Sequence, residues 1–372
     1  MTKCYICGNE INEKNRSVEH ILPNAIGGRL TSSKIICRDC NSKYGSNFDA
    51  ELSRQLNFYA NRLMIKRKRG NPPPVVMIDQ KTGKKYSVDH EGIPSMEKPF
   101  VNMAKTDNEL NFSVIARDME EARKILTGFS KKFKNFDVEE ILKQAEHVEE
   151  EILEPLHFTI TVGGKESMLA ILKIALNYYI GETGDIFSVT NAIEDLKNDK
   201  ADKIEPIILI QRLYDLDEDE VSHGIYLRGS QVEHKLYAII ELFNAVQFVV
   251  KLSENYDLPD LEELYVFDVL LCSEKHKVIR YRPDYNFIFN FSYPSSNPNF
   301  QIYKDAASRI FSIAQKRQQS AHIDKMIRKA MDDTIGKMIP EGDIITREAA
   351  ECFAKKLIED FIKYYMRFRN PP

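Results

Sequence analysis

No run of apolar residues in this 372-residue chain approaches the roughly 20 that a helical membrane span needs. There is no internal repeat and no low-complexity tract, which excludes a repeat architecture. No glycine-rich phosphate loop is present; Gly163-Gly164-Lys165 is the nearest approach and is too short. Cysteine is scarce, at six residues. Met1-Thr2-Lys3-Cys4 enters a cysteine pattern at once and leaves no room for a signal peptide. The expectation is therefore a cytoplasmic protein with no membrane partner, in which cysteines serve as metal ligands or free thiols rather than disulfides. What remains is ordinary for soluble globular protein, with 43% hydrophobic and 29% charged residues, and long enough for two or three domains.

Negative charge is sparse in the head of the chain. Residues 1–70 carry thirteen Lys or Arg against six Asp or Glu, residues 71–300 twenty-five against forty, and residues 301–372 fourteen against ten. The net charge of −4 thus hides a basic head, an acidic middle and a mildly basic tail. Basic surface attracts polyanions and acidic surface repels them. Contact with nucleic acid is expected at the ends, although a solvated charge pattern without a partner would look the same.

Tyr44, Phe48, Leu52, Leu56, Tyr59 and Leu63 recur at spacings of three and four, which predicts one helix face, with Gly45-Ser46-Asn47 as a break near its start. The pattern runs into Lys66-Arg67-Lys68-Arg69-Gly70, and Pro72-Pro73-Pro74 forbids continuation. That proline run is the clearest domain boundary. Beyond it a hairpin is expected over 75–78 and 85–88, then a strand at 110–116 and a helix at 119–133. A strand at 157–162 should lead into an apolar helix at 166–180. Strands follow at 224–227, 235–251 with a break at Asn244, 264–271 and 278–281, and helices at 301–337 and 346–369. The class is α+β, with an antiparallel sheet in the middle and a helical C-terminus. The expected division is a head at 1–70, an acidic α+β region at 75–300 that regulates or targets, and a helical region at 301–372.

Cys4-x-x-Cys7 and Cys37-x-x-Cys40 stand 29 residues apart. Two such pairs in a reduced compartment fit a tetrahedral zinc site, each pair folding over the metal in a tight knuckle. Four thiolates leave no open position for water, so this zinc would hold shape and do no chemistry. Cys272 and Cys352 stand alone and are expected as packed thiols.

Between the pairs lies Ser17-Val18-Glu19-His20-Ile21-Leu22-Pro23-Asn24-Ala25-Ile26-Gly27-Gly28, and after the second comes Asn41-Ser42-Lys43-Tyr44-Gly45. Here the chain resembles the HNH endonuclease family, in particular its variants with four zinc-binding cysteines. These share an acidic residue and His before Ile-x-Pro, then Gly-Gly, then CxxC followed by Asn or His. The resemblance covers residues 3–60 only. It implies a ββα-metal fold, DNA as substrate, and hydrolysis of phosphodiester bonds with one divalent cation, Mg2+ or Mn2+. Carried over by position, His20 would be the general base, and Glu19 and Asn41 would hold the cation through oxygen. Two departures stand out. Many members have Asp where this chain has Glu19, which would either reach the metal on its longer arm or orient His20 instead. The family's middle Asn is replaced by Ser32 or Ser33, leaving Asn24 to brace the loop.

The other histidines lack such a setting and are expected as packed or surface residues. Lys43, Lys66, Arg67, Lys68 and Arg69 are candidate phosphate contacts; for the run at 66–69 a solvated helix end suited to the helix dipole is the competing explanation. In the tail, Lys316, Arg317, Lys325, Arg328 and Lys329 could contact DNA backbone, with the basic solvent face of a partner-binding helix as the competing explanation. The reading is a metal-dependent HNH endonuclease, with defence against foreign DNA as its setting and a protein partner or self-association through the C-terminal region. The alternative is a catalytically silent zinc-binding adaptor.

Overall fold

The computed structural model describes residues 3–105, 110–133, 136–148, 152, 154–209, 211–292, 300–340 and 342–369. The chain forms two compact units, each made of two separated stretches: Met1–Pro73 with Ile160–Gln319, and Pro74–Thr159 with Ser320–Pro372. The first of these divisions falls between Pro73 and Pro74. The sequence nevertheless returns to the head's unit at residue 160, which no local composition signal marks.

In chain order, the head carries β1 (Glu19–His20), β2 (Thr31–Ser32), α1 (Arg38–Tyr44), a π-helical segment (Gly45–Asp49), α2 (Ala50–Gln55) and α3 (Asn57–Arg62). The second unit begins with β3 (Val75–Asp79), β4 (Lys85–Val88), β5 (Pro94–Met96), β6 (Phe100–Lys105), β7 (Leu110–Ile115), α4 (Met119–Ser130), α5 (Val138–Lys143) and β8 (Leu156–His157). The first unit resumes with α6 (Lys165–Thr183), α7 (Thr190–Lys197), β9 (Ile204–Ile207), β10 (Ser222–Ser230), β11 (Lys235–Leu242), β12 (Val246–Ser253), β13 (Leu261–Asp268), β14 (Ser273–Glu274) and α8 (Tyr285–Asn290). Then come α9 (Phe300–Asp333), α10 (Ile335–Met338) and α11 (Arg347–Arg369). The α+β class holds, with antiparallel sheets and a helical C-terminus. Among the described residues no helix is long and apolar enough to cross a membrane.

The first unit is organised by a six-stranded antiparallel sheet in the order β14-β13-β10-β11-β12-β9. Phe243 and Asn244 turn β11 into β12 with φ of 57° and 51°, the two left-handed residues that a tight hairpin turn requires. Tyr226, Tyr237, Ile239, Val249 and Val266 form a buried cluster with Tyr285 and Ile288 of α8. Helix α6 packs on β9 through β12. It is buried on all sides from Leu169 to Ile180, as its nearly unbroken apolar run requires. In the second unit β3 and β4 pair as the expected hairpin, with Val75 opposite Val88.

Several expectations are corrected. The helix over 44–63 is three helices and a π segment, yet its six apolar residues are all buried, because the pieces keep one face toward the core. It ends at Arg62, and Met64 adopts φ 54°. Residues 66–69 therefore lie beyond any helix, which removes the helix-dipole account of their charge. The strand at 157–162 shrinks to β8. Residues 278–281 form no strand, although Arg280 N–H donates to Leu213 O.

Candidate active site

Cys4 and Cys7 lie on a tight turn in which Gly8 N–H donates to Cys4 O and Gly8 takes φ 75°. Cys37 caps α1 and Cys40 sits in its first turn. The four sulfurs lie within 4.8 Å of one another, with Cys7 Sγ 3.7 Å from Cys37 Sγ. A tetrahedron with metal–sulfur bonds of about 2.3 Å spaces its sulfurs roughly 3.8 Å apart. The cluster thus fits a structural zinc. It also fixes α1, where Asn41 N–H closes the first turn on Cys37 O at 2.9 Å.

Strand β1 pairs with β2, Glu19 opposite Ser32 and His20 opposite Thr31. The loop between them turns at Gly27, with φ 101°, and Gly28, where a Cβ would fall 2.0 Å from Leu22 O. Only glycine fits that approach. Asn24 braces the loop as expected, donating through Nδ2 to Gly28 O at 3.3 Å. Its Oδ1 accepts from Lys68 N–H at 3.1 Å, which docks the basic run beside the loop. The loop is also held from the sheet. His223, fully buried, accepts from Phe243 N–H at Nδ1, so its Nε2 carries the proton and donates to Ile26 O at 2.9 Å.

Neighbouring strand residues point to opposite sides, and Glu19 and His20 part accordingly. His20 is half-buried, and among the described residues no hydrogen bond engages its imidazole. Burial holds its pKa below the ordinary 6.5, helped by the cations of Lys68 and Arg29. The ring is therefore neutral near pH 7 and able to take a proton. Glu19, 1% exposed, faces inward. Its Oε1 receives Lys173 Nζ at 2.5 Å and Asn177 Nδ2 at 2.9 Å, both from α6. Among the described residues no hydrogen bond joins Glu19 to His20. Burial raises the Glu19 carboxyl above its ordinary value, against the pull of Lys173. Burial also works against the Lys173 ammonium, but Asp49 and Glu19 outweigh it and keep it charged.

Asp49 completes this group, its Oδ2 lying 2.6 Å from Lys173 Nζ. Asn41 donates through Nδ2 to Ser17 Oγ at 2.6 Å and to Val18 O at 3.3 Å, tying α1 to the start of β1. A Cβ at Gly45 would meet Asn41 Oδ1 at 3.7 Å and Asp49 Oδ2 at 3.8 Å, so both oxygens border the same space. Glu19, Asp49 and Asn41 offer the hard oxygen donors that Mg2+ and Mn2+ take. Asp49 Oδ1 is buried and accepts no hydrogen bond, which leaves one acceptor of this group unmet.

Lys66, Lys68 and Arg69 are exposed beside this loop, and Lys43 lies exposed on α1 with its Nζ 5.3 Å from the Tyr44 ring centre. Arg67 is partly covered and donates to Asn71 O. Arg29 donates to Lys66 O at 2.6 Å and adds a cation that the sequence did not single out. In the tail, Arg317 donates to Leu63 O and Lys325 pairs with Glu91, so both are engaged in the fold. Lys173, Asn177 and Asp49 also went unremarked. Their one signal was two polar residues four apart inside an apolar helix, which places both on one face.

Two short antiparallel strands, a glycine loop and a helix anchored at a cysteine cluster make up a small ββα unit. Residues 4–57 match the HNH endonuclease family model, and the match is confined to that segment. No curated protein and no solved structure matches the chain.

Proposed function

We propose that this protein is a metal-dependent endonuclease that hydrolyses phosphodiester bonds in DNA. The observation that carries the reading is a neutral, unengaged His20 on β1, beside a cationic run and one residue from a buried carboxylate. A proton acceptor near neutral pH is what water needs to become a nucleophile. His20 takes that proton. Glu19 and Asn41 hold the divalent cation, which when bound offsets charge on the scissile phosphate. Lys43, Lys66, Arg67, Lys68 and Arg69, joined by Arg29, contact the phosphates on either side without reading sequence. The zinc stays structural. A cytoplasmic location and defence against foreign DNA belong to the same reading. So does self-association or a protein partner at the C-terminus, supported by the exposed Ile358, Phe361, Ile362 and Tyr365 on α11.

The test is His20→Ala on plasmid DNA with Mg2+ or Mn2+. Cleavage should fall by roughly 10²–10⁴-fold, while zinc content and DNA affinity stay close to the parent. The adaptor alternative draws its support from the ion pair that engages Glu19. A His20→Ala protein that cuts as fast as the parent would remove His20 as the base, and a parent that binds DNA and never cuts it would decide for that alternative.

A further inference from the structure

Helix α6 carries a charge where its burial argues for none. Lys173 is 1% exposed, in a helix whose other inward residues are almost all apolar. Its ammonium lies between Glu19 Oε1 and Asp49 Oδ2, at 2.5 and 2.6 Å. Asn177, one turn on, donates to the same Glu19 oxygen and accepts at Oδ1 from Tyr5 OH at 2.8 Å. Two carboxylates therefore share one ammonium, and Asp49 Oδ1 is left buried without a donor. A buried ammonium is costly unless something compels it. Leu or Met would fill the same helix position without that cost.

The geometry is that of a bridging cation. Mg2+ takes carboxylate oxygens at about 2.0–2.1 Å, so an ion joining these two oxygens would overlap the ammonium. We propose that Lys173 is a built-in competitor for the catalytic cation: its ammonium bridges Glu19 and Asp49, and must leave before Glu19 takes a metal. The inference rests on the reading that Glu19 is a cation ligand. It adds Asp49 as the second carboxylate that the departing lysine frees. It also gives the segment outside residues 4–57 a task, because whatever shifts α6 changes the metal affinity of the head.

The experiment measures Mn2+ binding to the full chain by electron paramagnetic resonance, for the parent, Glu19→Gln, Lys173→Met and the double variant Lys173→Met with Glu19→Gln. Zinc content and circular dichroism report the fold. Lys173→Met should bind Mn2+ at least about tenfold more tightly than the parent, and the double variant should lose that gain. Mn2+ should also raise the melting temperature of Lys173→Met more than that of the parent. Equal or weaker binding by Lys173→Met, with Glu19-dependent binding in the parent, overturns the competition and leaves Glu19 a ligand. Absence of Glu19-dependent Mn2+ binding in every form overturns both. Should Lys173→Met fail to fold, amine labelling of the parent followed by mass spectrometry serves instead. Lys173 should be protected in chelator and become labelled in Mn2+; unchanged protection overturns the proposal.

Discussion

A methyl group at Gly28 would sit 2.0 Å from Leu22 O, against backbone that has nowhere to go. Gly28→Ala should therefore shift the loop that follows His20 and destabilise the first unit by roughly 1–3 kcal/mol, the usual range for overpacking. Urea unfolding checks this, and an unchanged midpoint would contradict the close approach. His223 makes a second prediction at the same scale. Burial pulls its pKa from 6.5 to about 4 in the folded chain. Between those values the unfolded chain holds more protons, so stability rises with pH. The contribution is complete above pH 6.5 and is lost as pH falls toward 4, by up to roughly 3 kcal/mol. His223→Gln keeps a donor for Ile26 O and an acceptor for Phe243 N–H without the titration. Its stability should be flatter across that window, measured by melting temperature against pH. Equal slopes for parent and variant would remove His223 from the acid response.

Among the elements, α1 depends on the cysteine cluster for its start, since Cys37 supplies its cap and the knuckle supplies its anchor. Cys37→Ser should release the zinc and unfold the head, because binding energy at such a site is folding energy. Retention of zinc and of the head's circular dichroism would count against it. This is also the element whose role was most legible beforehand. CxxC spacing and the apolar positions from Tyr44 to Leu63 are local patterns, and the structure gathers the four sulfurs and buries the six apolar side chains. Asn244 was likewise readable as a turn. The partners of Glu19 were not, because Lys173 and Asn177 lie more than 150 residues away and ordinary periodicity counts them as helix. Lys66 to Arg69 misled for a related reason: Met64 takes a left-handed turn that a non-glycine residue seldom signals.

For the whole molecule, charge segregation sets the way DNA should be met. The head carries a net positive charge, and two of its cations, Lys68 and Arg29, act on His20. Binding should weaken steeply with salt, and removing one phosphate contact should lower the slope of log affinity against log salt by about 1. Lys68→Ala with the Asn24 bond intact is the cleanest case, since that bond uses the Lys68 backbone N–H. A slope unchanged in Lys68→Ala and Arg69→Ala alike would place the DNA elsewhere.

The split construction of the first unit bears on how the chain emerges from the ribosome. The four cysteines of the cluster are all present once Cys40 is made, so the zinc knuckle has only local contacts to wait for. The floor beneath it, from Lys173 and Asn177 to His223, arrives more than a hundred residues later. During that interval the nascent head carries Glu19 and Asp49 without their lysine, next to an apolar face with nothing yet to cover it. Synthesis thus passes through a stage at which the acid pair is open to divalent cations without competition from Lys173. Availability of divalent cations or of a chaperone at that stage should govern how much protein matures.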